Sequence, residues 1–322
     1  MVHGKLPRDD GTAERGSVTV SAPIPGPDHD HVGTTADVAF AAAQRAIPDE
    51  PPPEIRFRRA LRLGAATREL WHSRHIVWSL AVRQLRSTYN QEVLGIAWAL
   101  LAPFTLMIVF TFLFERVGKV NSGGVPYPLF SYIGLLPWTF FQSSLSTGGL
   151  SLVNQPLLNK VYAPREVFPL SEVVTGAVGA GCATIALAFL FLFEGRAPSA
   201  TSYWAIPLIV ILVAFIVACT LLASSVTVYF RDLRHALPLV LQLGLFVTPV
   251  VYGLNEIPRS FRAAYVALNP LGGVIDGLRQ AVLMGHSPRA AYTLIAAGSA
   301  ALYLLGAYML FKRLETGFAD VS

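Results

Sequence analysis

The side chains able to do chemistry in this sequence are arginine forks, single carboxylates and aromatic rings, and none is grouped as a catalytic set. Arg83 and Arg86 stand where a basic amphipathic stretch meets the first long apolar run, with Tyr89 just beyond. A planar guanidinium pairs well with phosphate oxygens, so these residues suit either a lipid diphosphate or ordinary phospholipid heads. Asp276 and Arg279 are three residues apart, on one face of a short helix. Glu172 lies in an apolar run, where a charge at mid-bilayer costs about 3 kcal/mol. It is about two turns from Arg165, which favours pairing or a polar vestibule over a proton relay. Trp98, Phe104, Trp138, Phe140, Phe141, Phe246 and Tyr252 are aromatics in or beside apolar runs. Such rings can stack on the flat apolar faces of sugars, and they also pack against lipid and settle at the membrane interface.

The sets that catalysis and nucleotide binding need are missing. There is no GxxxxGK[ST] loop to cradle phosphates, no HExxH or GxSxG, and no cluster of carboxylates in a loop. No cofactor is expected on this chain. Cys182 and Cys219 sit inside apolar runs without CxxC spacing and read as small buried hydrophobes. His29 and His31 flank Asp30 in a polar, proline-rich stretch, which is a weak basis for a metal site.

The elements that must position these residues follow from composition. Hydrophobic residues make up 53% of the 322 and charged residues 14%, against about 25% charged in an ordinary soluble domain. Ten of the 20 acidic and twelve of the 25 basic residues precede position 87, so the remaining 236 positions carry only 23 charges. A bilayer core needs about 20 consecutive apolar residues, and a helix satisfies its own backbone there. The expectation is an all-α integral membrane protein with six transmembrane helices, at Val93–Phe114, Leu129–Leu150, Val167–Phe193, Trp204–Tyr229, Ala236–Leu254 and Ala290–Phe311. Pro103 should kink the first, and Pro249 lies toward the end of the fifth. Residues 1–55, polar, proline-rich and without an apolar core, read as a disordered cytosolic tail. Residues 56–88 read as basic amphipathic interface helices, with Leu70, Trp71, Val77, Trp78, Ala81 and Leu85 on one face. Residues 89–322 form the six-span domain. In such a protein the net charge of +5 marks cytoplasmic flanks and lipid contact rather than nucleic acid.

Between the fifth and sixth spans, Pro258–Leu268 and Leu271–Met284 are each too short to cross, and Asn269-Pro270 breaks them apart. They read as a re-entrant helical hairpin in the outer leaflet, with Pro258, Asn269, Pro270, Asp276 and Arg279 as candidate external gate residues. With both termini inside, the cytoplasmic side holds fourteen basic residues from Arg56 onward and the other side seven. That asymmetry supports cytoplasmic termini.

Several clusters in order along the chain resemble the ABC-2 type permeases that export O-antigen, teichoic acid and related glycans (the Wzm/TagG group). These are Arg83 to Tyr89 with Leu94 to Trp98 and Pro103, then Gly134 to Phe141, then Lys160 to Ser171. Tyr229 to Leu233, Thr248 to Tyr252 and Leu268 to Leu271 follow, with Arg279 and Pro288. Thr88, Glu92 and Ala163 stand where that group usually has Arg, Ser and an aromatic. The resemblance implies a bacterial inner-membrane permease for a lipid-linked polysaccharide of O-antigen, teichoic acid or galactan type. It implies a second copy of the chain and two copies of a nucleotide-binding ATPase subunit. Lys160, Tyr162, Arg165 and Glu166 then fall on the turn that would seat in the ATPase, and Arg231 and Asp232 on a smaller second contact. Arg83, Arg86 and Tyr89 become lipid-diphosphate candidates, and Trp98, Phe104, Trp138, Phe246 and Tyr252 candidates for the substrate path. The competing readings are an ABC-2 exporter of a drug or simple lipid, and a secondary transporter. The latter would normally show repeats and ionisable groups within its spans.

Overall fold

The computed structural model describes residues 68, 70–89, 97–117, 122–154 and 164–315, and the side chains of residues 88, 89, 97–99, 115–117 and 154 are set aside. Over these residues the protein is helical throughout. The helices are α1 (Arg74–Tyr89), α2 (Ala97–Phe110), α3 (Tyr127–Gly148), a single turn α4 (Ser151–Asn154), α5 (Val167–Phe193) and α6 (Ala205–Tyr229). They continue with α7 (Leu233–Val247), α8 (Arg259–Leu268), α9 (Pro270–Leu278) and α10 (Ala290–Glu315). The tail and the basic run before residue 68 lie outside the described residues.

The apolar runs became helices close to their expected places. Val167–Phe193, Ala200–Tyr229 and Ala290–Glu315 are each long and apolar enough to cross a bilayer. Leu100–Phe114 and Leu233–Val247 are apolar but shorter. At 22 residues α3 is long enough, though polar toward its end, where Ser143, Ser146 and Thr147 return their hydroxyls to the carbonyls of the preceding turn. The first span contains Pro103 and changes to π-helical winding over Thr111–Val117.

Contacts at the helix ends fix directions. Tyr127, opening α3, donates to Val251 O, which follows α7. Tyr229, closing α6, donates to Leu314 O, near the end of α10. Thr201, just before α6, donates to Ala281 O beyond α9. So α6 and α10 run the same way, and α6 packs along α10, α3 along α5, and α9 against both α6 and α10. At 26 residues α10 is about 39 Å long, and it defines a hairpin end and an opposite end.

The fifth run departs from its expected extent. Its helix stops at Val247 rather than Leu254, and Thr248 is extended at φ −76°, ψ 139°. Pro249 causes this, because a proline disfavours helical backbone in the residue before it and brings no N–H of its own. A chain broken inside an apolar bundle must find partners for its carbonyls. Here side chains supply them. Tyr252 and Tyr265 both donate to Val247 O, at 2.8 and 2.7 Å. Arg279 donates to the carbonyls of Pro249, Val250, Tyr252 and Phe130, at 2.5 to 3.1 Å. The Arg279 guanidinium lies 3.7 Å from the centre of the Phe130 ring, a cation–π contact, and the residue is 2% exposed. Gly134 makes room for it, since a β-carbon there would sit 2.6 Å from Arg279 Nη2 and collide with Val250 O.

The hairpin of α8 and α9 is also as expected in outline. Asn269 separates the two helices, and its side-chain amide donates to Thr248 Oγ1 at 2.9 Å and to Tyr265 Oη at 3.3 Å. Its tip reaches deep. Tyr303, thirteen residues after the start of α10, donates to Ala267 O and Leu268 O, which places the tip about 20 Å along that helix.

Arg279 generates a direct prediction. Arg279→Met keeps the bulk but leaves buried carbonyls without donors, which should cost about 3–5 kcal/mol. Purified in detergent, this variant should melt well below wild type or fail to give a monodisperse peak. Arg279→Lys should recover only part, because an ammonium cannot span the same set of carbonyls. A Met variant that melts like wild type contradicts the bracing role.

Candidate functional site

Two constellations stand out, one at each end of α10. At the hairpin end, Arg279 is turned inward onto backbone rather than toward Asp276, its neighbour three residues back. Asp276 instead accepts from Gln280 Nε2 at 2.5 Å and lies 3.9 Å from Arg289 Nη1. Pro258 is exposed at the start of α8, and Pro270 is buried at the start of α9. Tyr252 is half-buried, its hydroxyl used on the end of α7. Of the five gate candidates, the structure therefore brings Asn269, Pro270 and Arg279 into one braced unit with α7 and α3. Pro258 and Asp276 stand at its rim.

The opposite end is tied together as tightly. Glu166, which precedes α5, is 1% exposed and ion-pairs through Oε1 with Lys312 on α10. Tyr308 donates to the same oxygen at 3.4 Å, and Lys312 also holds Glu315 at 2.9 Å. Arg165 is half-buried and donates to Glu315 O at 3.2 Å. Glu166 is thus enclosed within the chain, and Arg165 turns to the end of α10. Glu172 is 4% exposed and makes no ion pair among the described residues, so of the two alternatives, pairing with Arg165 or a polar vestibule, the pairing does not form. Arg231 and Asp232 are exposed at the turn into α7, and neither makes an ion pair among the described residues. Lys160 and Tyr162 lie outside the described residues.

The aromatics divide. Trp138 is 2% exposed, donates through Nε1 to Gln142, and packs so close to Gly244 that a β-carbon there would come within 2.9 Å of its ring. It is a core residue between α3 and α7. Phe104 and Phe246 are exposed. The side chains of Trp98 and Tyr89 are outside the described set. On α1, Ala81 is fully buried, Leu80 packs against the cluster of Leu152, Phe168, Leu221 and Phe311, and Trp78 is exposed, as is Trp71 just before the helix. Arg83 and Arg86 are exposed. The two Trp rings thus sit off the face that buries Ala81, and the single apolar face expected for this stretch divides between protein contact and exposure.

Sequence reasoning missed the side chains that secure both ends. A Lys in the last turn of an apolar helix and a Glu heading another, as with Lys312 and Glu166, are candidates for a buried pair that charge counting alone does not single out. Tyr127 and Tyr265 gave no local signal, because their carbonyl partners on Val251 and Val247 are freed only by the break at Pro249.

Comparison with known proteins agrees with this architecture. The family model "ABC-2 type transporter" matches residues 75–283. The chain is 34% identical over 261 residues to the O-antigen export system permease protein RfbA of Myxococcus xanthus, covering 79% of this chain and 97% of that protein. It is 29% identical over 242 residues to the protein of the same name in Klebsiella pneumoniae, covering 74% and 92%. It is 26% identical over 218 residues to the polysialic acid transport protein KpsM of Escherichia coli, covering 65% and 82%. The matched span runs from α1 through the braced hairpin, and the chain belongs to the ABC-2 type transporter family.

Proposed function

We propose that this chain is the membrane permease of an ATP-driven exporter of lipid-linked polysaccharide, acting as two copies with two copies of a nucleotide-binding ATPase subunit. The observation that carries the reading is the match to 97% of the length of an O-antigen export permease. The reading places six spans across a bacterial inner membrane, with both termini in the cytoplasm and the hairpin end outside. ATP and Mg2+ sit on the partner subunit. Copurifying the adjacent ATPase and measuring its hydrolysis with candidate lipid-linked glycans tests it. The chain alone should bind no labelled nucleotide above background, and stoichiometric crosslinking to it would overturn the division of labour.

The geometry supports a coupling role for the turn before α5. Lys160, Tyr162 and Arg165 lead into Glu166, which is fastened to Lys312, so a push on that turn is delivered to α10. Farther along, α10 holds the hairpin tip through Tyr303. Arg231 and Asp232, exposed beside it, suit a second contact with the ATPase. Trp98, Phe104, Phe246 and Tyr252 remain the candidate path aromatics that a sliding glycan could stack on. Trp138, buried against Gly244, serves as packing between α3 and α7. Arg83, Arg86 and Tyr89 suit the cargo's diphosphate as it enters from the cytoplasmic leaflet.

Two measurements follow. Glu166→Gln and Lys312→Gln should each destabilise the chain, and the double-mutant cycle in thermal unfolding should show a coupling of about 1–3 kcal/mol. A coupling near zero removes Glu166–Lys312 as a mechanical tie. Separately, in a background lacking Cys182 and Cys219, cysteines at the exposed positions Ser260 and Ser287 should label from outside intact cells with an impermeant thiol reagent. Labelling only from the cytoplasmic side means a miscounted span.

A further inference from the structure

A cleft of about 610 Å³ opens at the hairpin end, lined by Asn255, Arg259, Arg262, Arg289 and Tyr292. Three guanidinium groups from α8 and the start of α10 converge on it. Arg262 is spent on bracing, its Nε donating to Ile257 O at 2.6 Å and its Nη2 to Asn255 O at 2.5 Å. Arg289 donates through Nη1 to Asn255 Oδ1 at 3.0 Å and lies 3.9 Å from Asp276 Oδ2, too long for a strong pair. Arg259 is exposed and makes no ion pair among the described residues. Two carboxylates are near, Asp276 in space and Glu256 in sequence. Asp276 is already held by Gln280, and Glu256, exposed one turn before Arg259, is in no ion pair with these arginines. The cleft therefore keeps a net positive charge and unused donors.

Farther down α10 lies an apolar groove of about 440 Å³, lined in part by Leu268, Leu302, Tyr303, Gly306 and Leu310. Tyr292 of the charged cleft and Tyr303 and Leu310 of the groove are 11 and 18 residues apart, close to three and five full turns, so they share one face of α10. Leu268 and Leu302 are 75% and 69% exposed. A cationic cleft over an apolar groove on one helix face has the shape of an amphiphile, head above and tail below.

We propose that this face binds an anionic phospholipid of the surrounding bilayer, its phosphate on Arg259 and Arg289 and one acyl chain in the groove beside Leu302, Tyr303 and Gly306. Charge complementarity selects the head, and the open apolar face admits a lipid from the bilayer side. Such a lipid bridges α8 to α10 and holds the hairpin against the last span. The assignment goes beyond the export reading and borrows from it only which leaflet supplies the lipid.

The test uses the full chain in detergent, with native mass spectrometry after addition of phosphatidylglycerol, phosphatidylcholine or a polyprenyl phosphate. Wild type should retain phosphatidylglycerol in preference to phosphatidylcholine. Arg259→Gln with Arg289→Gln should cut that retention about tenfold or more, as expected for loss of charge-assisted contacts. Arg259→Lys should keep most of it, and Arg196→Gln, a basic residue outside the cleft, should change nothing. Gly306→Phe directs a ring at the groove from a position where a β-carbon meets nothing within 4 Å. It should lower retention while melting like wild type. Unchanged retention in the double variant overturns the site, as does an equal loss in Arg196→Gln. Retention of the polyprenyl phosphate without phosphatidylglycerol overturns the phospholipid assignment. These readings do not depend on sidedness, so the cysteine labelling above fails or succeeds independently of them.

Discussion

Arg279 sits fully enclosed, and four backbone carbonyls from two separate segments converge on its guanidinium. Three of them, on Pro249, Val250 and Tyr252, are orphans because Pro249 stops α7 short, leaving several residues of non-helical backbone among apolar helices, and the fourth, on Phe130, ties the same guanidinium to α3. In water such a break would be solvated at little cost. Within a bundle that faces lipid, each unpaired carbonyl would cost several kcal/mol. The rest of the hairpin end is arranged around meeting that demand. Gly134 gives the guanidinium its space, Phe130 offers its ring, and Tyr127, Tyr252 and Tyr265 complete the set of donors.

A consequence of this arrangement is rigidity where the sequence suggested a moving part. The inner half of the hairpin, α9, is buried against α6 and α10 and stapled to α3 and α7. The outer half, α8, is amphipathic and largely exposed, and it is held at its tip by Tyr303 and Asn269 and at its start by Arg262. Any displacement of the hairpin is therefore confined to α8, or it carries α7 and α10 along. At the far end of α10, the Glu166–Lys312 pair plays the matching role, joining the start of α5 to the last span. One helix connects the two polar anchors, which gives a mechanical route between the turn before α5 and the hairpin.

Much of the candidate site was legible because its parts are local. Asn269-Pro270 announces a break between helices whatever surrounds it, and Arg231 and Asp232 mark an exposed turn between apolar runs. The roles of Trp138 and Glu166 were not legible. A ring or a carboxylate beside a span has the same local signature whether it faces a path, a partner or a neighbouring helix. Only the close approach of Gly244 to Trp138, and of Lys312 to Glu166, makes the one a core residue and the other an internal anchor.

Sequence alone determined the helical class, the membrane setting and the approximate place of each apolar helix. Those follow from one-dimensional quantities, namely the length of charge-free runs, the positions of prolines and the sparing use of charge. It also determined that this chain lacks a phosphate loop, since that motif is contiguous. Tertiary structure decided where the fifth run ceases to be helical, because the extent of a break depends on which distant side chains can reach its carbonyls. It decided that Arg279 braces backbone instead of pairing with Asp276, since the donors' partners come from residues about 30 and 149 positions away. A hydrogen bond across that separation leaves no periodicity or spacing to read, and its existence is settled only when the helices pack.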